Sequence, residues 1–591
     1  MTSQEMSFIA GILSSLDRLP DHLRAGFRKC IQAMPLPPEM ETHSLEGTSS
    51  ILFQAGYPGL WHGPKLLRSK EGWLVAATGA ENPFPGASHT QQTSDRLWDW
   101  IASRALSDRL PDDLLHFSAA CVSPTGDRVL LVNDPLGTAT LSYYVGDRYI
   151  VFSSRPSFLG RFCNGLTVNY EAIFEFLLIG HLLGNKTFFR EVSVLPPGGL
   201  LDYADGAARV RRHTWFESVA TDTQMSIEEA VDRVFQLLSS MFSPAPSCDT
   251  RVNCFLSGGW DSRLLAAVLS NANLVDRTWS TETIGQFSAE RSIAALAAQF
   301  LGLESEVVPP GFFSVIKDFY EHSRLVDFSS DTGPWIMSLL DALPVGQIYV
   351  DGFLVDVLLR PDRHVPSALV ECVNTGDVER AATYFFEMYL EAGGPFSYVR
   401  AGGKPWQKLL KRGFYEEQTK QLKENIENEL ADVECGQDFA TSFVIKNRQR
   451  RGIAPLPILL MGSKGPMLLP FCNLKLARLC LRIPLEHKTS GQLQFGLLER
   501  ARKGLGRLIS TNSDKTLLQP YIRRWTPIDF VRRLLFGGWQ YEQAVTQLGS
   551  DVFNLLGGGE NVARLRLLKY PYQLQRLLLV QQAIALLDSK G

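Results

Sequence analysis

Two serines, two glycines and an aspartate within six residues, Ser257-Gly258-Gly259-Trp260-Asp261-Ser262, form the group whose types and spacing could do chemistry. Adjacent glycines let backbone N–H groups approach an anion closely, and the hydroxyls of Ser257 and Ser262 add donors. Asp261 beside a bound anion calls for a cation between the two charges, so it reads as a ligand for Mg²⁺. Together these residues describe a phosphate cradle. It is not the Walker pattern, which needs Gly-Lys-Ser/Thr after four intervening residues. The elements that must present it lie on either side. Val252-Asn253-Cys254-Phe255-Leu256 is a short apolar run that reads as a buried strand, and Leu264 to Leu269 is a leucine- and alanine-rich run that reads as a helix. The helix start would add unpaired N–H groups and the positive end of its dipole.

Ser-Gly-Gly-x-Asp-Ser after a strand resembles the loop of the ATP pyrophosphatases, which cleave ATP to AMP and pyrophosphate. The surroundings resemble the asparagine synthetase family, which includes β-lactam synthetases and lasso-peptide cyclases. The resemblance implies an α/β chain: residues 1–212 form an N-terminal Ntn-hydrolase-like, glutaminase-like α+β sandwich, and residues 213–591 form a Rossmann-like ATP-pyrophosphatase domain with a parallel sheet. It implies ATP and Mg²⁺ as cofactors, with Leu256, Ser257, Gly258, Gly259, Asp261, Ser262, Ser280, Thr281 and Gly352 at the nucleotide. Adenine recognition falls on the backbone near Leu256 and Ser280–Thr281. In Tyr349-Val350-Asp351-Gly352-Phe353-Leu354-Val355-Asp356, Gly352 and Asp356 keep the spacing of the family's Ser-Gly-Glu-Gly-x-Asp motif, so Asp356 would join Asp261 on Mg²⁺. Phe353 stands where β-lactam synthetases carry a tyrosine, which argues against that branch.

The first half keeps the family outline and loses its chemistry. Met6-Ser7-Phe8-Ile9-Ala10-Gly11-Ile12 resembles the glutaminase opening, in which a cysteine attacks glutamine; here Ser7 holds the cysteine position and other residues precede it. A serine hydroxyl is a far weaker nucleophile than a thiolate, and a mid-chain residue has no α-amine to act as its base, so a glutaminase-like fold without glutaminase activity is expected. Asn133 and Arg155 replace the family's arginine and glutamate, as in a domain that has lost its ligand. In the second half the family's lysine of the amide-forming step falls on Phe495 or Gln494, leaving Lys488, Lys503 and Lys515 as substitutes, with Lys515 and Lys488 the named catalytic candidates.

Composition bounds the rest. A chain of 591 residues exceeds a single core, and 45% apolar with 20% charged residues is globular. A formal charge of −3 predicts neither nucleic acid nor a membrane as partner. Basic clusters at 446–451 and 523–533 read as solvated helix faces, with a polyphosphate or peptide contact as the alternative. Nine cysteines without a Cys-x-x-Cys pair point to the cytoplasm rather than to a disulfide framework or zinc. The expected reaction is amide formation from a carboxylate and an amine. A peptide is the lead substrate, with a precursor peptide and its protease or leader-binding protein as partners. The alternatives are an ammonia-dependent asparagine synthetase or other small-molecule ligase, and a noncatalytic scaffold.

Overall fold

The structure, a computed structural model, describes residues 8–34, 36, 40–56, 66–68, 72–81, 114–212, 219–243, 251–281, 289–309, 317–333, 336–390, 403–431, 438–511, 513, 517, 548–556 and 571–588. Among the described residues twelve strands precede residue 213: β1 (Phe8–Ser14), β2 (Glu41–Glu46), β3 (Ser50–Gly56), β4 (Leu67–Arg68), β5 (Leu74–Glu81), β6 (Leu114–Val122), β7 (Arg128–Asn133), β8 (Ser142–Gly146), β9 (Tyr149–Ser153), β10 (Val192–Val194), β11 (Gly199–Ala204) and β12 (Ala207–Arg212). They form two antiparallel sheets, ordered β10-β8-β9-β1-β3-β2 and β12-β11-β7-β6-β5-β4. Alternate residues of both sheets, among them Ile9, Leu13, Leu131, Phe152, Leu201 and Tyr203, pack into one apolar layer.

The second half is built on five parallel strands, β13 (Val252–Phe255), β14 (Val275–Ser280), β15 (Ser305–Val307), β16 (Tyr349–Val350) and β17 (Met467–Leu468), ordered β15-β14-β13-β16-β17. The chain winds outward from β13 through β14 to β15, then returns to the other side of β13 with β16 and β17. The winding therefore reverses between β13 and β16. Ligands of open α/β sheets bind in the crevice at such a point, beyond the carboxyl ends of the strands.

Local signals account for the helices around this sheet. Ser226 caps Ile227–Met241 by accepting from the Glu229 N–H, and Gly302 ends Glu290–Leu301 in the left-handed conformation. The 446–451 cluster corrects the expectation of a solvated face. It lies in a π-helix, Ile445–Ile453, whose Asn447, Gln449, Arg450 and Arg451 are buried. The 523–533 cluster lies outside the described residues. Among the described residues no helix is long and apolar enough to cross a membrane, and Cys121, Cys254, Cys372, Cys472 and Cys480 carry no bridge.

Asn133 and Arg155 serve as framework. Asn133, fully buried, donates to the Leu195 carbonyl and accepts from the Gly199 N–H. Arg155 reaches out of the first half to donate to the Leu325 carbonyl at 2.8 Å, and two residues on, Ser157 donates through its N–H and hydroxyl to the Asp327 carboxylate.

Candidate nucleotide site at the switch point

β13 delivers Leu256, whose N–H still bonds the Trp279 carbonyl of β14, and the chain then turns through Ser257–Gly259 into the helix Trp260–Asn271. The turn is built from its own serines. The Ser257 N–H donates to Ser262 Oγ at 2.9 Å, the two hydroxyls lie 2.9 Å apart, and the Gly259 N–H donates to Ser257 Oγ at 3.2 Å. The Gly258 N–H donates to Glu290 Oε1 at 3.2 Å, so a carboxylate oxygen takes the donor that a phosphate oxygen would claim. Gly258 is fixed by space: a Cβ there would come within 2.5 Å of Thr511 Cγ2 and 3.3 Å of the Glu290 backbone. Arg263, fully buried, secures the turn from below by donating to the carbonyls of Gly258, Leu505, Leu508 and Ile509. Burial without a carboxylate partner pushes its pKa down to about 10.

Across the switch point, the loop after β16 passes directly against this helix start. A Cβ on Gly352 would lie 3.6 Å from Ser262 N and 3.7 Å from Asp261 Cβ. The loop then places Leu354 in the left-handed region (φ 71°), a costly conformation for leucine, and enters the short helix Val355–Leu359 with Asp356 in its first turn. Backbone strain of this kind clusters at ligand sites. Asp356 Oδ1 accepts from the Val357 N–H at 2.9 Å and Oδ2 lies 3.1 Å from His364 Nε2. The buried amide of Gln449 approaches both oxygens at 3.4 and 3.5 Å. Burial would push this carboxyl up, but the His364 hydrogen bond and charge, the Arg448 guanidinium and the Val357 N–H outweigh it and hold it below the usual range. Its side chain keeps 41% of its surface, so the anion stands open to a ligand.

Asp261 Oδ1 accepts from the Gln494 amide at 2.5 Å. Gln494 is 1% exposed, whereas Phe495 is 36% exposed and packs beside Trp260 with ring centroids 6.2 Å apart. Of the two residues at the family's lysine position, Gln494 is the one that meets the metal-ligand candidate. Arg360 also stacks over the Trp260 indole, 5.3 Å from the ring centroid.

Of the lysine candidates, Lys488 is corrected by its position. Lys488 is fully buried, its ammonium 2.7 Å from the Asp438 carboxylate and 3.2 Å from the Cys480 carbonyl, which encloses it away from any incoming substrate. Lys503 is exposed, and Lys515 and Ser7 lie outside the described residues.

The remaining residues are those that the resemblance assigns to a nucleotide and a hard cation. Ser280 and Thr281, at the carboxyl end of β14, have buried hydroxyl oxygens with no hydrogen-bond partner among the described residues, where the resemblance puts adenine. Among the described residues no group of three or more His, Cys, Asp or Glu converges to hold a metal. The pairing of Asp261 and Asp356 on Mg²⁺ thus rests on the resemblance, and a cation held by two carboxylates would take its other ligands from phosphate and water.

Sequence reading missed Asp351, His364, Gln449, Glu290 and Arg263, and it named Gln494 without its bond to Asp261. Asp351 was accessible to it: a carboxylate one residue past β16 sits at the rim where ligands bind. Burial pushes Asp351 up to about 6, the Phe353 N–H pulls it back and the Asp356 charge adds to the rise. With its folded pKa above the unfolded value, it favours folding fully at pH below about 4 and loses that contribution as pH rises through about 6. Asp351→Asn is therefore expected to match wild type in melting temperature at pH 4 and to exceed it at pH 8; equal melting temperatures at pH 8 would refute the assignment.

No protein-family model and no curated protein matches the chain. Among solved structures it is similar to glutamine phosphoribosylpyrophosphate amidotransferase from B. subtilis complexed with ADP and GMP, at 12% identity over 62% of this chain and 79% of that one, with a TM-score of 0.23. It is also similar to a structure described as the allosteric regulatory enzyme of purine biosynthesis, at 12% identity over 62% and 78% of the two chains, with a TM-score of 0.22. Likeness at this level carries no argument. What stands, among the described residues, is a mixed α/β protein with two antiparallel sheets and one parallel sheet, with a serine-glycine turn at its switch point.

Proposed function

We propose that the chain is an ATP-dependent ligase of the asparagine synthetase type, forming an amide from a carboxylate and an amine with release of AMP and pyrophosphate. In this reading the first half is Ntn-hydrolase-like without glutaminase activity, and the second is a Rossmann-like ATP-pyrophosphatase domain. The observation that carries it is the meeting, at the reversal of strand order, of the Ser257–Ser262 turn with the Gly352 loop, where a Cβ on Gly352 would lie 3.6 Å from Ser262 N. Ser257 to Gly259 would cradle the phosphates, Ser280 and Thr281 would take up adenine with the backbone near Leu256, and Asp261 and Asp356 would hold Mg²⁺. Bound there, ATP·Mg²⁺ would supply carboxylate activation with pyrophosphate as a charge-neutralised leaving group. With glutamine hydrolysis lost at Ser7, the amine must belong to the substrate or arrive as ammonia.

The most specific form is a lasso-peptide macrolactam cyclase, in which a side-chain carboxylate of a bound peptide joins that peptide's own α-amine. Asn133 and Arg155, both spent on framework contacts, support loss of the ancestral glutamine pocket. Gln494 bonded to Asp261, where the family has a lysine, favours the rival reading of a noncatalytic scaffold. One experiment separates them: purified protein with ATP and Mg²⁺, supplied with a candidate core peptide or with aspartate and ammonia, followed for AMP. Peptide-dependent AMP with loss of one water from the peptide supports the cyclase. AMP with aspartate and ammonia supports the small-molecule ligase. Nucleotide binding without AMP from either leaves the scaffold and refutes the ligase.

A further inference from the structure

Asp356 is held from two directions, and one of them leads out of its own half of the molecule. His364 lies eight residues downstream on the same segment. Gln449 arrives 93 residues later on the π-helix Ile445–Ile453, which also carries Arg448, whose charge acts on Asp356. π-helices are rare, and one nine residues long needs an outside reason to persist.

That reason is the residue next to Gln449. The Arg450 guanidinium, 1% exposed, has no carboxylate among its hydrogen-bond acceptors. It donates instead to oxygens of the first half: the Gly137 carbonyl at 3.2 Å, the Gly184 carbonyl at 3.5 Å, Asn185 Oδ1 at 3.1 and 3.2 Å, and the Leu195 carbonyl at 2.7 Å. Gly137 leaves room for it, since a Cβ there would come 2.9 Å from Arg450 Nε. On either side, Asn447 Oδ1 accepts from the Gly184 N–H at 2.8 Å and Arg451 donates to the Lys186 carbonyl at 2.6 Å. Every one of these partners belongs to the antiparallel half.

We propose that the N-terminal half, stripped of its own chemistry, is a positioning scaffold for the metal carboxylate: it grips the π-helix through Arg450 and thereby sets Gln449 against Asp356. The proposal rests on the reading of Asp356 as a Mg²⁺ ligand. Groups behind a metal ligand fix its orientation, and losing one commonly weakens metal binding by roughly 10- to 100-fold. Arg450 and Asn185 are positioning residues one step further back.

The test is Mn²⁺ binding to the full chain in the presence of ATP, followed by electron paramagnetic resonance. Asn185→Ala, which removes one acceptor at an exposed residue, and Arg450→Lys, which keeps the charge and loses the fork, are each expected to weaken Mn²⁺ about tenfold. Asn185→Asp should restore it by pairing with Arg450. In a Gln449→Leu background Asn185→Ala should add nothing, because the route to Asp356 is already cut. A merely structural interface would lower melting temperature in all backgrounds and leave Mn²⁺ affinity alone. Unchanged Mn²⁺ affinity in Asn185→Ala, or an undiminished effect in the Gln449→Leu background, overturns the proposal while leaving the ligase reading intact. A wild-type chain that takes up ATP but no Mn²⁺ overturns both. If Arg450→Lys does not fold, the Asn185 variants decide.

Discussion

Asp261→Asn is expected to lower the rate of AMP formation by about 10³-fold, the loss of several kcal/mol of charge stabilisation at a metal-bound leaving group. The substitution isolates charge from shape. An asparagine keeps the oxygen that accepts from Gln494, now at 2.5 Å, and occupies the same first helical turn. Melting temperature should therefore barely change while Mn²⁺ uptake and pyrophosphate exchange collapse. An exchange rate within threefold of wild type, at whichever substrate supports AMP formation, would remove Asp261 from the metal site.

Lys488→Met is expected to act on stability instead. The pair Lys488–Asp438 is almost wholly enclosed, at 0% and 1% side-chain exposure. Removing one member strands a buried charge, a loss of about 3–5 kcal/mol. Asp438 also caps the helix Phe439–Val444 by accepting from the Thr441 N–H, so its carboxylate cannot turn away without a second loss. The double variant Lys488→Met with Asp438→Asn should recover a large part of the loss, because the stranded charge is gone and the cap oxygen remains. Denaturant titration of the three variants measures this. At a temperature where Lys488→Met is fully folded, AMP formation should equal wild type; a proportionate loss of rate without loss of stability would return Lys488 to the list of catalytic cations.

The nucleotide turn was readable because its signals are local. A strand, two glycines and a helix start lie within twenty residues, and a glycine needed for close approach to Glu290 and Thr511 is also one that a phosphate could approach. Strand alternation and caps such as Ser226 were readable for the same reason. What stayed hidden depends on partners far away in the chain. Gln449 meets Asp356 across 93 residues and Gln494 meets Asp261 across 233, and nothing in their neighbourhoods marks the partner of either glutamine. The basic run at 446–451 misled because charge alone suggests solvent; the acceptors of its Arg450 are the Asn185 amide oxygen and backbone carbonyls 255 to 313 residues upstream, which no local pattern can announce. A nine-residue π-helix also breaks the period that helical reading relies on. Lys488 looked available because a buried carboxylate fifty residues earlier does not declare itself as a partner.

The helix Pro571–Asp588 bears on how the molecule is made. It packs on the helices Pro156–Phe162 and Tyr170–Ile179, and its Arg576, fully buried, donates to the carbonyls of Leu177 and Leu178 across 399 and 398 residues while pairing with Asp331 at 2.6 Å. A ribosome working from the front therefore delivers those early helices long before the segment that covers them. Their greasy flank must wait, bare or chaperoned, through most of translation, and closure of the front half becomes one of the last events in the birth of the protein.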